Sequence, residues 1–541
     1  MDKPDYFYPW IHGSEWGVRI CLCLVMICAL MQFGSFALTQ NYVIAAFGSQ
    51  PEDVTLALQI TYVAIVPFIA IQSRLFQYYE TKSYLLTGII SCIAVNILTL
   101  YTKDIIIFTV LRFLNGLSLS LMTGPALILL FSRINPERVQ VIGMSILYGA
   151  ILGNGVVIGF GAALIDTTTN WTVIYYFLIG FLFLCLAFTL LILRPVNGRP
   201  SLPLNNLDWP GSVFLTAGLT ALSYTMIYGP KHYWFSDIHI RWSACAAAVF
   251  FALFILREFK AKIPIVTLSV FRYHTFISGL LLLILYYGLK DSINLVYNYT
   301  GAILQWSGVQ QMELGLFNLA GLLSFMWLSA EMMMTKKHST RRFLIAGFGL
   351  LLIFHLYIYL ELTPDLDFAD LILPMFLHGA ASGILFVPVI IYILSAVPST
   401  TGTTGIVVSA FMRFIATLNS VAGLYTLQLK YNQLYKEGFL KYLTANDPVF
   451  MDRLNSAGQT FSLKPATLEQ GRALGLMGIV RSLGAQQQLL TMRTLFLIYA
   501  IIISVILLLI LLVTSAYKTN ISIRSVFAIG KRQKPITDQA S

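Results

Sequence analysis
Fourteen apolar runs of about helix-spanning length limit what this chain can fold into. A bilayer core roughly 30 Å thick is crossed by about 20 helical residues. Lipid offers no partner for bare backbone groups, so each run is expected to be an α-helix. The runs cover 17–38, 54–73, 83–101, 105–131, 139–165, 171–193, 207–229, 241–256, 274–300, 306–330, 342–361, 368–396, 403–428 and 494–517. They are numbered here as spans 1 to 14. Charged residues make up 11% of the chain and apolar residues 57%, which leaves too little polar surface for a soluble domain of this length. The first run, Val18 to Leu38, lacks a small-residue cleavage site and reads as a retained span. Cys21, Cys23, Cys28, Cys92, Cys185 and Cys245 all fall in predicted spans, which points to neither a disulfide framework nor a metal cage.

A short pattern occurs twice along these runs. Phe113-Leu114-Asn115-Gly116 is followed nine residues after its glycine by Pro125, and Phe376-Leu377-His378-Gly379 is followed at the same interval by Pro388. Pro136, Gly143 and Gly161 find counterparts in Pro398, Gly405 and Gly423, at an offset of 262 residues. The repeat pairs span 4 with span 12 and span 5 with span 13. Six helices on either side then form two equivalent halves. The expected units are a first six-helix bundle over 1–198, a two-span linker over 199–262, and a second bundle over 263–517 that includes a long segment at 429–493. A basic tail over 518–541 follows. A polytopic all-α chain that repeats its helices at half length is built like a secondary transporter, whose halves rock about a central site.

Lysine and arginine set the orientation. With the N-terminus inside, the inner segments hold 21 of these residues and the short outer loops only Lys103, Lys231 and Arg241. The expected setting is therefore the inner or plasma membrane with both termini cytoplasmic. The net charge of +11 follows from that topology and from anionic lipid, not from nucleic acid. The segment 429–493 would lie outside, as a folded cap or as a docking surface for an outer partner.

Ionisable groups inside spans are costly, by about 3 kcal/mol on insertion scales, and are functional candidates by default. Arg112 lies two turns into span 4 and needs an acid, a carbonyl cluster or a wet cavity. Lys290 and Asp291 sit near the middle of span 9. Neighbours on a helix point about 100° apart, so these two need not pair with each other. Asp291 is the only carboxylate deep in a predicted span. Burial favours a neutral acid and a nearby cation favours a carboxylate, so a group held between the two can load and release a proton. Tyr287, Asn294 and Asn298 extend the same span as a polar, aromatic wall. Arg413 in span 13 is either a cavity charge or a structural one. His378 stands where Asn115 stands in the first repeat, and is either a satisfied hydrogen-bonding group or a proton carrier. Glycines at 149, 153, 155, 159 and 161 give span 5 a close-packing face. The chain has no phosphate-binding loop of the G-x-x-x-x-G-K-[ST] type and no zinc-protease or nucleophile-elbow motif, so no cofactor and no enzymatic activity are expected.

The chain resembles the fourteen-span drug:proton antiporters of the major facilitator superfamily, the EmrB/QacA type. The resemblance rests on Ile263-Pro264-Ile265-Val266-Thr267-Leu268-Ser269-Val270-Phe271, Phe376-Leu377-His378-Gly379, Asn170-Trp171, Ser409-Ala410-Phe411-Met412-Arg413 and the long segment before span 14. Arg112 with Asn115-Gly116 falls on the family's R-x-x-Q-G element. The resemblance implies a major facilitator fold and export of amphipathic organic molecules against proton entry, often with a periplasmic adaptor. Two departures stand out. Ser35 occupies the place of the family's span 1 aspartate, and Gln72 to Tyr79 keeps almost none of the loop motif that follows span 2. Asp291 is the candidate substitute for the missing acid. The expected proton-coupling set is Asp291, Arg112 and His378. The expected substrate set is Arg112, Asn115, Tyr287, Lys290, Asn294, Asn298, Arg413 and Ser35. An uptake symporter or facilitator, and a membrane scaffold or receptor that transports nothing, remain as alternatives.

Overall fold
The described part of each apolar run takes up helix, with one interruption, as the need to pair every backbone group within lipid demands. The computed structural model describes residues 6–12, 15–34, 40–132, 134, 139–168, 170–195, 208–261, 264–335, 340–398, 402–462 and 468–512. In chain order the helices are α1 (Pro9–His12), α2 (Glu15–Gly34), α3 (Gln40–Phe47), α4 (Pro51–Tyr78), α5 (Thr81–Leu100) and α6 (Ile105–Ser132). They continue as α7 (Val139–Thr168), α8 (Val173–Ile192), α9 (Trp209–Tyr228), α10 (Ile238–Lys260), α11 (His274–Lys290) and α12 (Ile293–Ala302). The last six are α13 (Gly308–Thr335), α14 (Thr340–Glu361), α15 (Phe368–Ser395), α16 (Gly402–Leu440), α17 (Pro448–Ser462) and α18 (Leu468–Leu512). Eleven stretches among the described residues are long and apolar enough to cross a bilayer. Trp16–Gln32 and Val141–Val156 are shorter apolar helices, and α9 is not in either group, so by this measure the count of fourteen is not reached.

One repeated glycine pair, Gly116 and Gly379, has a common structural cause. A Cβ on Gly116 of α6 would lie 2.3 Å from the Thr61 carbonyl oxygen of α4. A Cβ on Gly379 of α15 would lie 1.9 Å from the Asn318 carbonyl oxygen of α13. At both places one helix crosses another backbone to backbone, which only glycine permits. The repeated prolines, Pro125 and Pro388, both lie inside their helices.

Two seams join the helices of the first half to those of the second. Along one, α7 packs on α13, with Gly149 against Met326 and Gly153 against Leu319. Along the other, α4 meets α16, where the Tyr62 and Phe414 rings lie 5.2 Å apart. The hairpin of α9 and α10 lies against this second seam, since α9 touches both α4 and α16. Arg257 binds Asp208 at 2.9 Å and ties the two ends of the hairpin together.

Two features differ from the sequence expectation. The run expected as a single span 9 is broken after Lys290 and resumes at Ile293, with Asp291 and Ser292 in a turn between α11 and α12. The segment 429–493 is largely helical. The 39 residues of α16 and the 45 of α18 would extend roughly 58 and 67 Å at 1.5 Å per residue, well past the roughly 30 Å bilayer core. With α17 packed on α18, they form a helical protrusion on one face.

Candidate substrate and proton site at the seam of the halves
The break in span 9 frees backbone carbonyls, and side chains from neighbouring helices take them up. The His378 ring on α15 donates from Nε2 to the Lys290 carbonyl at 3.0 Å. Its Nδ1 accepts from the Asn318 amide at 3.1 Å, and the same amide donates to the Met375 carbonyl at 3.0 Å. Ser420 on α16 donates to the Gly288 carbonyl at 3.2 Å. On α14, His355 donates from Nδ1 to the Leu351 carbonyl at 2.7 Å and accepts at Nε2 from Ser292 at 2.9 Å. Non-helical backbone at this depth persists only where protein groups satisfy it, and here α15 and α16 do so, while α14 holds the Ser292 hydroxyl. Each histidine fills these roles with a single ring proton.

The turn also redirects its side chains. Lys290 and Asp291 form an ion pair at 2.5 Å, both partly buried. The long Lys290 side chain closes onto the neighbouring carboxylate at the turn. The Lys290 ammonium lies 4.9 Å from the centre of the Tyr287 ring. On α12, Asn294 and Asn298 are exposed, about one turn apart.

Arg413 of α16 completes the group. Its guanidinium lies 5.3 Å from the centre of the Tyr148 ring of α7 and within hydrogen-bonding reach of the Tyr287 hydroxyl of α11. Tyr62 of α4 is close enough to act on the same charge. Phe386 of α15 closes one wall, 4.1 Å from the Tyr148 ring and 5.7 Å from the Tyr287 ring. Tyrosines from both halves thus converge on one arginine. No carboxylate among the described residues lies within ion-pair distance of it, and its Nε is buried without a hydrogen-bond partner. A cation–π contact contributes about 1–2 kcal/mol when desolvated. Placing arginine at the membrane centre costs about 2.5–3.5 kcal/mol. The tyrosines therefore offset the charge only in part.

Arg112 and Asn115 sit elsewhere. Arg112 is 1% exposed and donates to the Gln32 carbonyl of α2 at 3.1 Å. Asn96 of α5 donates to the Gln32 side chain at 2.7 Å and accepts from Asn115 at 3.1 Å. Cys92 donates to Asn115 at 3.5 Å. Arg112 thus has a backbone carbonyl partner, beside a polar network built from helices of the first half. Ser35 lies outside the described residues. A cleft of ≈ 560 Å³ between α2 and α7, lined by Trp16, Arg19, Ile20 and Ile142 among others, is a separate recess.

The sequence singled out Lys290, Asp291, Tyr287 and Arg413, and the structure brings them into one neighbourhood. Tyr62, Tyr148 and Phe386 were missed. Each is one aromatic residue in an apolar run, with nothing local to separate it from lipid-facing neighbours.

Comparison with known proteins agrees with this architecture. The Major Facilitator Superfamily sequence model matches residues 20–422, and the chain belongs to that superfamily. Multidrug resistance protein 3 of Bacillus subtilis (strain 168) is 26% identical over 227 residues, a match covering 42% of this chain and 43% of that protein. The chain thus matches less than half the length of this curated relative. Among solved structures, a POT peptide transporter superposes with a TM-score of 0.56 at 13% identity, covering 91% of this chain and 94% of that one. A POT family transporter in complex with 5-aminolevulinic acid gives 0.55 at 13% identity, covering 91% and 96%. The nucleoside transporter NupG gives 0.50 at 10% identity, covering 91% and 99%. At these identities the likeness is one of fold.

Proposed function
We propose that this chain is a proton-coupled secondary transporter that moves amphipathic organic compounds by alternating access, with export as its direction. One observation carries the reading: Arg413 meets Tyr148 and Tyr62 of the opposite half at a seam between helix bundles, beside a broken helix that holds the Lys290–Asp291 pair. Ion and substrate sites at broken helices between repeats are the general plan of such transporters. In this reading Asp291 carries the proton. His378 holds the Lys290 carbonyl and so fixes the pair. Arg413, Tyr287, Lys290, Asn294 and Asn298 face the substrate. Arg112 and Asn115 brace the first half and tune how it opens.

Support for export comes from the resemblance to drug:proton antiporters and from the Bacillus relative's name. The lysine and arginine asymmetry supports fourteen spans in an inner or plasma membrane with both termini cytoplasmic. The protrusion of α16, α17 and α18 would then be periplasmic and is the place for an adaptor protein. The runner-up, a proton-coupled uptake symporter, differs only in the direction of flux under an imposed pH gradient.

The test is Asp291→Asn in proteoliposomes. The expected outcome is loss of flux driven by a pH gradient, with substrate counterflow retained. Gradient-driven flux that survives the substitution would show that Asp291 is not the coupling group.

A further inference from the structure
We infer that the seam site selects an organic anion, a planar apolar body carrying a carboxylate or equivalent group, which docks on Arg413. The inference rests on the transporter reading above and names its substrate class. Three observations lead to it.

The first is charge. Lys290 and Asp291 neutralise each other at 2.5 Å, whereas Arg413 has no carboxylate within ion-pair distance among the described residues. The neighbourhood therefore carries net positive charge. A cationic ligand would meet repulsion there, and an anionic one would supply the missing counter-charge.

The second is unused donor capacity. Arginine has five N–H donors in a planar fork that suits two parallel bonds to a carboxylate. Tyr287 engages the guanidinium, while Nε is buried and has no partner. A desolvated donor without an acceptor is a position that a ligand oxygen can fill.

The third is shape. Tyr148 lies under the guanidinium at 5.3 Å, and Phe386 lies 4.1 Å from Tyr148 and 5.7 Å from Tyr287. These rings are almost fully buried and pack on one another, so a flat apolar body attached to the acid would part them and take up their stacking beside the cation. Because the walls come from α7, α11 and α15, ligand contact would bridge the two halves.

The test uses the full chain in lipid nanodiscs and three probes of nearly equal shape: 2-naphthoate, neutral 2-naphthamide and cationic 2-naphthylmethylammonium. Equilibrium dialysis at pH 7.5 is expected to show naphthoate bound on the order of tenfold or more tighter than either analogue. Arg413→Gln is expected to erase that preference, and Arg413→Lys to keep part of it through charge without the fork. Equal or tighter binding of the ammonium probe, no naphthoate binding by the unaltered protein, or a preference that survives Arg413→Gln would each overturn the inference. Should Arg413→Gln lose monodisperse elution, the ranking of the three probes by the unaltered protein decides the matter alone. Counterflow of the same probes in proteoliposomes separates the two readings. Movement of the ammonium probe but not naphthoate removes the anion assignment and leaves the transporter. Arg413-dependent naphthoate binding with no movement of any probe keeps the site and removes the transporter.

Discussion

Two arginines within predicted spans are answered in different ways. Arg112 donates to the Gln32 carbonyl, and the Gln32 side chain is held in turn by Asn96 and Asn115. Arg413 finds aromatic faces and phenols, and no acid among the described residues. The surroundings of Arg112 come from the first half alone, whereas those of Arg413 join both halves, which is why the ligand is assigned to Arg413. Outside the spans, one carboxyl has a clear pH signature. Asp237 caps α10 by accepting from the His239 backbone N–H at 2.7 Å, and it also contacts the His232 ring at 2.8 Å. Chiefly the backbone bond, and secondarily His232, hold its carboxyl below the usual carboxylate range, with slight burial opposing them. A folded-state value lowered in this way supports the cap above the unfolded pKa, and that support is lost as pH falls through the folded value. Amide exchange in the first turn of α10 is therefore expected to stay slow at pH 5 and to rise only below about pH 4. In Asp237→Ala it is expected to be fast throughout. Protection that changes between pH 5 and 7 would assign the cap to histidine instead.

Among the helices, Gly116 and Gly379 of the repeat serve as crossing points. Replacing Gly379 with alanine puts a methyl group on the α13 backbone, where no flexible side-chain end can give way. The expected loss is about 1–3 kcal/mol, read as a lower thermal midpoint in detergent. Gly155 on α7 has nothing within 4 Å of its would-be Cβ, so Gly155→Ala is expected to be neutral or slightly stabilising. Equal effects at the two positions would remove the crossing-point explanation of the repeat. The interruption of span 9 is the other feature of this scale. Its sequence, Gly288-Leu289-Lys290-Asp291-Ser292, has no proline, and local propensity alone does not specify a turn there. The turn is held by His378, Ser420 and His355, which arrive from helices 63 to 132 residues away. No local window of the chain contains those partners.

At the level of the whole molecule, a polar clasp closes the face that bears the protrusion. Glu52 at the start of α4 is 4% exposed. It pairs with Lys231, beyond the end of α9, at 3.4 Å and accepts from the Tyr425 hydroxyl of α16 at 3.3 Å. Beside it, Tyr228 donates to Asp53, and Lys231 donates to Gln50 at 2.5 Å. One carboxylate thus joins the first half, the inserted hairpin and the second half. Breaking it is expected to shift the population toward a form open on that face, since only differential contacts bias such an equilibrium. Spin labels on the ends of α4 and α16 at that face are expected to report a longer-distance population in Glu52→Ala. An unchanged distance distribution would mean that apolar packing alone, such as Tyr62 on Phe414, holds the face shut.

The sequence by itself determined the helical membrane fold, the internal repeat, and the charged residues inside spans. All three follow from rules that act locally: lipid demands helices, glycine permits close crossings, and charge in hydrocarbon is costly. The tertiary structure alone decided which of those charges share a site. It placed Arg112 inside one bundle and Arg413 at the seam, closed Lys290 onto Asp291 through a turn, and added Tyr62, Tyr148 and Phe386. The physical reason is that polar and aromatic side chains in a membrane protein are satisfied across helices, so the meaning of each depends on neighbours hundreds of residues away.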